Sequence, residues 1–185
     1  MLAHSAEVHG AVMKISGKMG GAILGLCAAG AAGWLYFSSA PKAAPEVKFA
    51  TLKGELVSTS DLRGKVTLIN FWATSCAPCV KELPGIAAAW KKYNAQGFET
   101  IAVAMEYDPP NYVKSFTERN QLPFKVALDA RGEIAKAFGA INGDVRVVPT
   151  SFVIDKQGRV IKSYLGELDF VKFEALLVAA LKEAA

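Results

Sequence analysis

Histidine is almost missing from this chain of 185 residues: there are two, His4 and His9, both close to the N-terminus. Cysteine is scarce as well, at three: Cys27, Cys76 and Cys79. A structural zinc site takes four such ligands, usually with a second CxxC or histidines nearby. Neither accompanies Cys76 and Cys79, so a zinc site is excluded and no metal or cofactor is expected. A third shortage is of charge, for no residue from Met19 to Phe37 carries one. Over residues 46–185 the charges nearly balance, with 18 Lys+Arg against 16 Asp+Glu and no basic cluster. That argues against a nucleic-acid partner.

The uncharged run, "MGGAILGLCAAGAAGWLYF", is close to the roughly 20 apolar residues that span a bilayer as a helix. Lys14 and Lys18 precede it, which favours an N-terminus in the cytoplasm and a C-terminal domain outside. The rival reading is a cleaved signal peptide. Trp34, Tyr36 and Phe37 suit an interfacial aromatic belt better than a cleavage region. Cleavage after Ser38–Ala40 would also put Pro41 just past the cut. Cys27 reads as one more small apolar residue, because Leu26 before it is too large for a lipoprotein signal. The expected layout is a cytoplasmic segment 1–18, an inner-membrane anchor 19–37, a Pro/Ala-rich linker 38–46 and one globular domain 47–185 facing the periplasm.

Within the domain, "VTLINFWA" (66–73) is a continuous apolar run of strand length, as in a strand buried on both faces, and "FETIAVAMEY" (98–107) reads as a second buried strand. Between them Val80, Leu83, Ile86, Ala87, Trp90 and Tyr93 recur at helical spacing from Cys79 to Gln96, and Gly97 ends the helix. A short helix is predicted over 110–120, a strand over 124–129 and another helix over 130–139. Residues 150–155 and 160–166 form a hairpin, and an amphipathic helix capped by Asp169 closes the chain. This order predicts an α/β domain with a mixed sheet covered by helices on both faces.

Cys76 then falls where a central strand ends and a helix begins, the place where open α/β sheets carry their chemistry. A disulfide between Cys76 and Cys79 closes too small a loop to stabilise much. Redox chemistry needs only the pair and its position. A helix N-terminus stabilises the thiolate of Cys76, and a second thiol one turn on can resolve a mixed disulfide.

The stretches "GKVTLINFWATSCAPCVKELP" (64–84) and "VPTSFVIDKQGRV" (148–160) resemble the thioredoxin-like membrane-tethered reductases, the family of TlpA, ResA and the cytochrome c maturation protein CcmG. The resemblance runs from about Phe49 to the C-terminus. It implies a thioredoxin-like fold with an insertion, with Cys76 as nucleophile and Cys79 as resolving thiol. It makes Pro149 a cis-proline facing them, with the backbone of Val148 pairing to the substrate and Trp72 and Thr150 beside it. Cis bonds are essentially confined to proline, and proline brings no N–H toward a nearby thiolate. Pro78 sits in the first helical turn, where a missing N–H costs nothing.

Two residues depart from the pattern. Ser75 stands where the family commonly has Trp, which puts substrate preference in question. Asn70 stands where thioredoxin has a buried Asp, and an amide cannot take a proton. Glu82, one turn past Cys79, is the candidate acid–base.

The resemblance implies a thiol–disulfide oxidoreductase, a reductase acting outside the cytoplasm and recharged by a membrane electron donor. Its expected substrates are protein disulfides, those of apocytochrome c or of copper-site proteins. One alternative is a thiol peroxidase, which places a Thr three residues before its cysteine; here that position is Ala73, and Thr74 is two before. The other is a copper carrier, which needs a histidine ligand that the domain lacks.

Overall fold

The computed structural model describes residues 41–142 and 145–184, so the apolar run 19–37 lies outside the described residues. Among those described, no helix is long and apolar enough to cross a membrane.

Two strands form the centre. Val66–Trp72 (β4) and Phe98–Ala104 (β5) are parallel and buried at every position. Burial on both faces favours apolar side chains at both parities, and the few polar residues of these strands, Thr67, Asn70, Glu99 and Thr100, are buried with them. Around them the strands are Lys42–Ala43 (β1), Lys48–Thr51 (β2), Leu56–Ser58 (β3), Lys125–Leu128 (β6), Thr150–Ile154 (β7) and Arg159–Leu165 (β8). They complete an eight-stranded mixed sheet in the order β1-β8-β7-β4-β5-β6-β2-β3.

The helices are Ala77–Tyr93 (α1), Pro110–Arg119 (α2), Glu133–Asn142 (α3) and Phe170–Lys182 (α4). The parity of β4 sorts them. Leu68 and Trp72 face a core shared with Leu83 and Ile86 of α1, Val113 of α2 and Phe173 and Leu177 of α4. Ile69 and Phe71 face the opposite core, with Phe138 of α3. Burying each such large apolar side chain contributes about 1.5–3 kcal/mol. Asn70 shares the parity of Leu68 and Trp72, so its side chain points to α1.

The elements differ from the sequence reading at several bounds, and the helix expected over 130–139 runs over Glu133–Asn142. The helix expected over Cys79–Gln96 begins at Ala77, ends at Tyr93 and continues as one 3₁₀ turn, Asn94–Gln96. Gly97 then takes φ 95°, a conformation that stops the helix without steric cost. The strand expected over 98–107 ends at Ala104, because Met105 to Asp108 form a turn closed by Asp108 N–H donating to the Met105 carbonyl (2.9 Å). The three N-terminal strands were not legible at all. They are short, and β2 alternates exposed and buried residues. Both residues of β1, inside the stretch read as a linker, are exposed and gain their conformation from pairing with Val160 and Arg159.

Candidate active site

The redox pair sits at the seam between β4 and α1. Cys76 is the N-cap of α1, with extended backbone (φ −90°, ψ 100°), and its Sγ accepts the N–H of Cys79 at 3.2 Å. Pro78 follows in the first turn, which contains no acidic residue. The partial positive charge of the helix start is therefore uncancelled by the helix's own side chains. Cys76 and Cys79 are joined as a disulfide, with S–S 2.01 Å, so the structure is that of the oxidised form. Their exposures differ: Cys76 is half-buried, whereas Cys79 is 0% exposed.

Facing the pair is the loop before β7. The Val148–Pro149 peptide is cis, and the Val148 carbonyl oxygen lies 3.7 Å from Cys76 Sγ. Thr150 Oγ1 donates to the Val147 carbonyl (2.5 Å), and Gly166 N–H donates to the Pro149 carbonyl (2.8 Å). These two bonds hold the loop between β7 and the end of β8. Thr150 itself is buried, so its contribution here is to the loop's shape. Trp72 is fully buried against Phe116 of α2, with ring centroids 5.2 Å apart. It lies in the same core cluster as Cys79, so it supports the site from the core and presents no surface to a partner.

Glu82 lies one turn past Cys79 and is 3% exposed. Its Oε1 accepts Asn70 Nδ2 at 2.8 Å, and its Oε2 accepts Leu168 N–H at 3.0 Å. Asn70 Nδ2 also donates to Ser151 Oγ (2.9 Å). Burial pushes the Glu82 carboxyl above its ordinary value, more strongly than the two hydrogen bonds lower it. A carboxyl with its affinity for a proton raised in this way is suited to accept one from a neighbouring thiol. The structure thus brings Asn70 and Glu82 into direct contact in one buried polar group one helical turn past Cys79.

Sequence reasoning missed Asp108. It is 5% exposed, and its carboxylate accepts the Thr74 N–H (2.5 Å) and the Thr74 hydroxyl (2.7 Å). An Asp before two prolines reads as ordinary turn chemistry, and only its burial sets it apart. Among the described residues no cluster of three or more His, Cys, Asp or Glu is arranged to hold a metal.

A thioredoxin-like fold with a vicinal cysteine pair at a helix start, opposite a cis-proline loop, defines a thiol–disulfide oxidoreductase. Comparison with known proteins agrees. Residues 39–177 match the Redoxin family. The chain is 40% identical over 126 residues to the thiol-disulfide oxidoreductase ResA of Bacillus thuringiensis subsp. konkukian, covering 68% of this chain and 69% of the relative. With the ResA of Bacillus anthracis the identity is 36% over 136 residues, covering 74% and 75%.

Among solved structures, a putative thioredoxin from Neisseria meningitidis superposes with a TM-score of 0.70 at 39% identity, covering 78% of this chain and 93% of that one. A putative thiol:disulfide interchange protein DsbE from Chlorobium tepidum gives a TM-score of 0.67 at 32% identity, covering 76% and 96%. The chain belongs to the Redoxin family, in its TlpA/ResA/CcmG branch of thiol–disulfide oxidoreductases.

Proposed function

We propose that this oxidoreductase works as a membrane-anchored reductase of protein disulfides outside the cytoplasm. The observation that carries the reading is the unequal exposure of the pair, with Cys76 reachable at the helix start and Cys79 sealed beneath it. The Cys76 thiolate attacks one sulfur of a substrate disulfide, forming a mixed disulfide and releasing the other sulfur as thiolate. Cys79, passing its proton to Glu82, then attacks Cys76 Sγ. This closes the Cys76–Cys79 disulfide and frees the second substrate thiolate, so two electrons leave the protein. A membrane electron donor restores the dithiol. Val148 offers backbone to an extended substrate segment, and Pro149, lacking an N–H, leaves the thiolate unquenched.

The absence of a cationic side chain in Ala77-Pro78 supports the reducing direction, because nothing there stabilises the thiolate further. The uncharged run 19–37 behind Lys14 and Lys18 supports the anchor, which places the domain on the periplasmic side of the inner membrane. The proposed substrates are the oxidised haem-site cysteines of apocytochrome c or the disulfides of copper-site proteins.

The test is reduction of a peptide carrying an intramolecular Cys-x-x-Cys-His disulfide. The parent should reduce it in a single turnover, Cys79→Ser should accumulate the mixed disulfide at Cys76, and Cys76→Ser should be inert. Oxidation of the reduced peptide by the disulfide form, with no reaction the other way, would reverse the proposed direction. Recovery of full-length protein in carbonate-washed membranes tests the anchor, and a soluble form lacking about forty residues would revive the signal peptide.

A further inference from the structure

We propose that Asp108 is a positioning residue of the redox centre: it fixes the turn that presents Cys76 and opposes, through its negative charge, the field of the helix start on that sulfur. The inference rests on the assignment of Cys76 as the attacking thiol.

Asp108 is a nearly buried carboxylate with an unusual employment. It stands just before α2, yet it does not cap that helix, whose N-cap is Pro109 with no side-chain cap bond. Its two oxygens go instead to one residue thirty-four positions earlier, Oδ2 to the Thr74 N–H and Oδ1 to the Thr74 hydroxyl. A buried carboxylate is costly unless hydrogen bonds satisfy it, so this placement is held by the pairing with Thr74.

The surrounding backbone closes the arrangement. Met105 N–H donates to the Trp72 carbonyl (3.1 Å), Asp108 N–H to the Met105 carbonyl (2.9 Å) and Cys76 N–H to the Ala73 carbonyl (3.1 Å). The segment from the end of β4 to Cys76 is therefore clamped to the end of β5 at both Trp72 and Thr74. Thr74 is two residues before Cys76, and two residues span at most about 7 Å. That short tether bounds the separation of the Asp108 carboxylate from the Cys76 sulfur, on which its charge acts with the opposite sign to the helix N-terminus.

Other charged or titratable groups near the centre are Glu82 one turn past Cys79, the exposed Lys81–Glu167 pair, Glu106 and Tyr107 on the Asp108 loop, and the cationic Arg146, two residues before Val148, which lines one cavity with Glu106 and stays unchanged in every variant below. Of the carboxylates, Asp108 is the one bonded to the turn that carries Cys76. A negative charge there disfavours the thiolate, which keeps the cysteine pair more reducing and Cys76 less ionised at a given pH.

Charge and geometry separate in two variants. Asp108→Asn keeps the size and can retain both contacts, with its carbonyl accepting the Thr74 N–H and its amide donating to the Thr74 hydroxyl. Asp108→Ala removes both. In the reduced, full-length protein, Asp108→Asn should lower the pH midpoint of Cys76 alkylation by about 0.5–1 unit. In a glutathione redox buffer it should shift the equilibrium toward the dithiol by about three- to tenfold. Asp108→Ala should show the same shifts and also slow attack of Cys76 on a model disulfide by about tenfold, as the turn loosens. Thr74→Val, which keeps the charge and loses one bond, should leave the alkylation midpoint in place.

An Asp108→Asn protein with the parent's alkylation midpoint and glutathione equilibrium would overturn the charge role, and an Asp108→Ala protein with the parent's attack rate would overturn the positioning role. Thermal melts of each variant report whether the fold is kept. Labelling of Cys79 ahead of Cys76 in the parent would instead overturn the assignment of the attacking thiol, and is seen separately.

Discussion

Asn70 and Glu82 meet across 2.8 Å in the interior, the amide of a central strand donating to the carboxylate of the helix that carries the cysteines. Asn70 cannot exchange a proton itself, but it orients the group that can. With Leu168 N–H on the other oxygen, the Glu82 side chain is fixed between β4, α1 and the segment leading to α4.

The first prediction is kinetic. Glu82→Gln should slow resolution of the mixed disulfide by about a hundredfold, the lower end of the range for a positioned base, because thiols ionise readily unaided. Attack by Cys76 should change less. Single-turnover reduction of a model disulfide across pH 5–9, with the mixed disulfide quantified after acid quenching, separates the two steps. Identical profiles for variant and parent would reduce Glu82 to a helix-start carboxylate.

The second concerns pH and stability. The folded protein holds the Glu82 proton more tightly than the unfolded chain, since burial raises its pKa above the ordinary 4.5. Between those two values the native state binds more protons, so the contribution of this group to stability falls as pH rises. It is fully present below about pH 4.5 and lost once pH exceeds the raised value. Urea melts from pH 4.5 to 8 should therefore show a downward component in the parent that Glu82→Gln lacks. Parallel curves would contradict the raised carboxyl.

The third concerns packing. A Cβ on Gly85 would fall within 2.7–2.8 Å of the Phe170 Cε atoms, so the bare backbone of α1 is what lets α4 approach. Gly85→Ala gains helix propensity but drives a methyl into the ring. It should destabilise the fold by about 1–3 kcal/mol, read as a lower urea midpoint at unchanged slope. Phe170→Leu in the same background should recover part of the loss, and no recovery would place the cost elsewhere.

The fourth concerns the cysteines. After reduction, limited alkylation at mildly acidic pH followed by peptide mapping should label Cys76 well before Cys79, which is 0% exposed and one turn inside the helix. Labelling of Cys79 first would exchange the two roles.

The α/β order, the two central strands, the helix behind the cysteines and the redox pair are legible in the residues alone. Each of these is encoded locally: an unbroken apolar run, a 3.6-residue period or a CxxC spacing survives being read in one dimension. Asn70 was legible as a departure, an amide where an acid was expected, and Glu82 as the carboxylate on the helix able to take over its role.

That Asn70 and Glu82 share one buried polar group follows from long-range packing alone. The parity of β4 turns Asn70 toward α1, and burial then selects the partner. Tertiary contacts also decided the edge strands, because Lys42 and Ala43 take their conformation from β8 and carry no pattern of their own. They decided Asp108 too. Its chemistry comes from a neighbour thirty-four residues away and from the removal of water, and neither is written in the residues beside it.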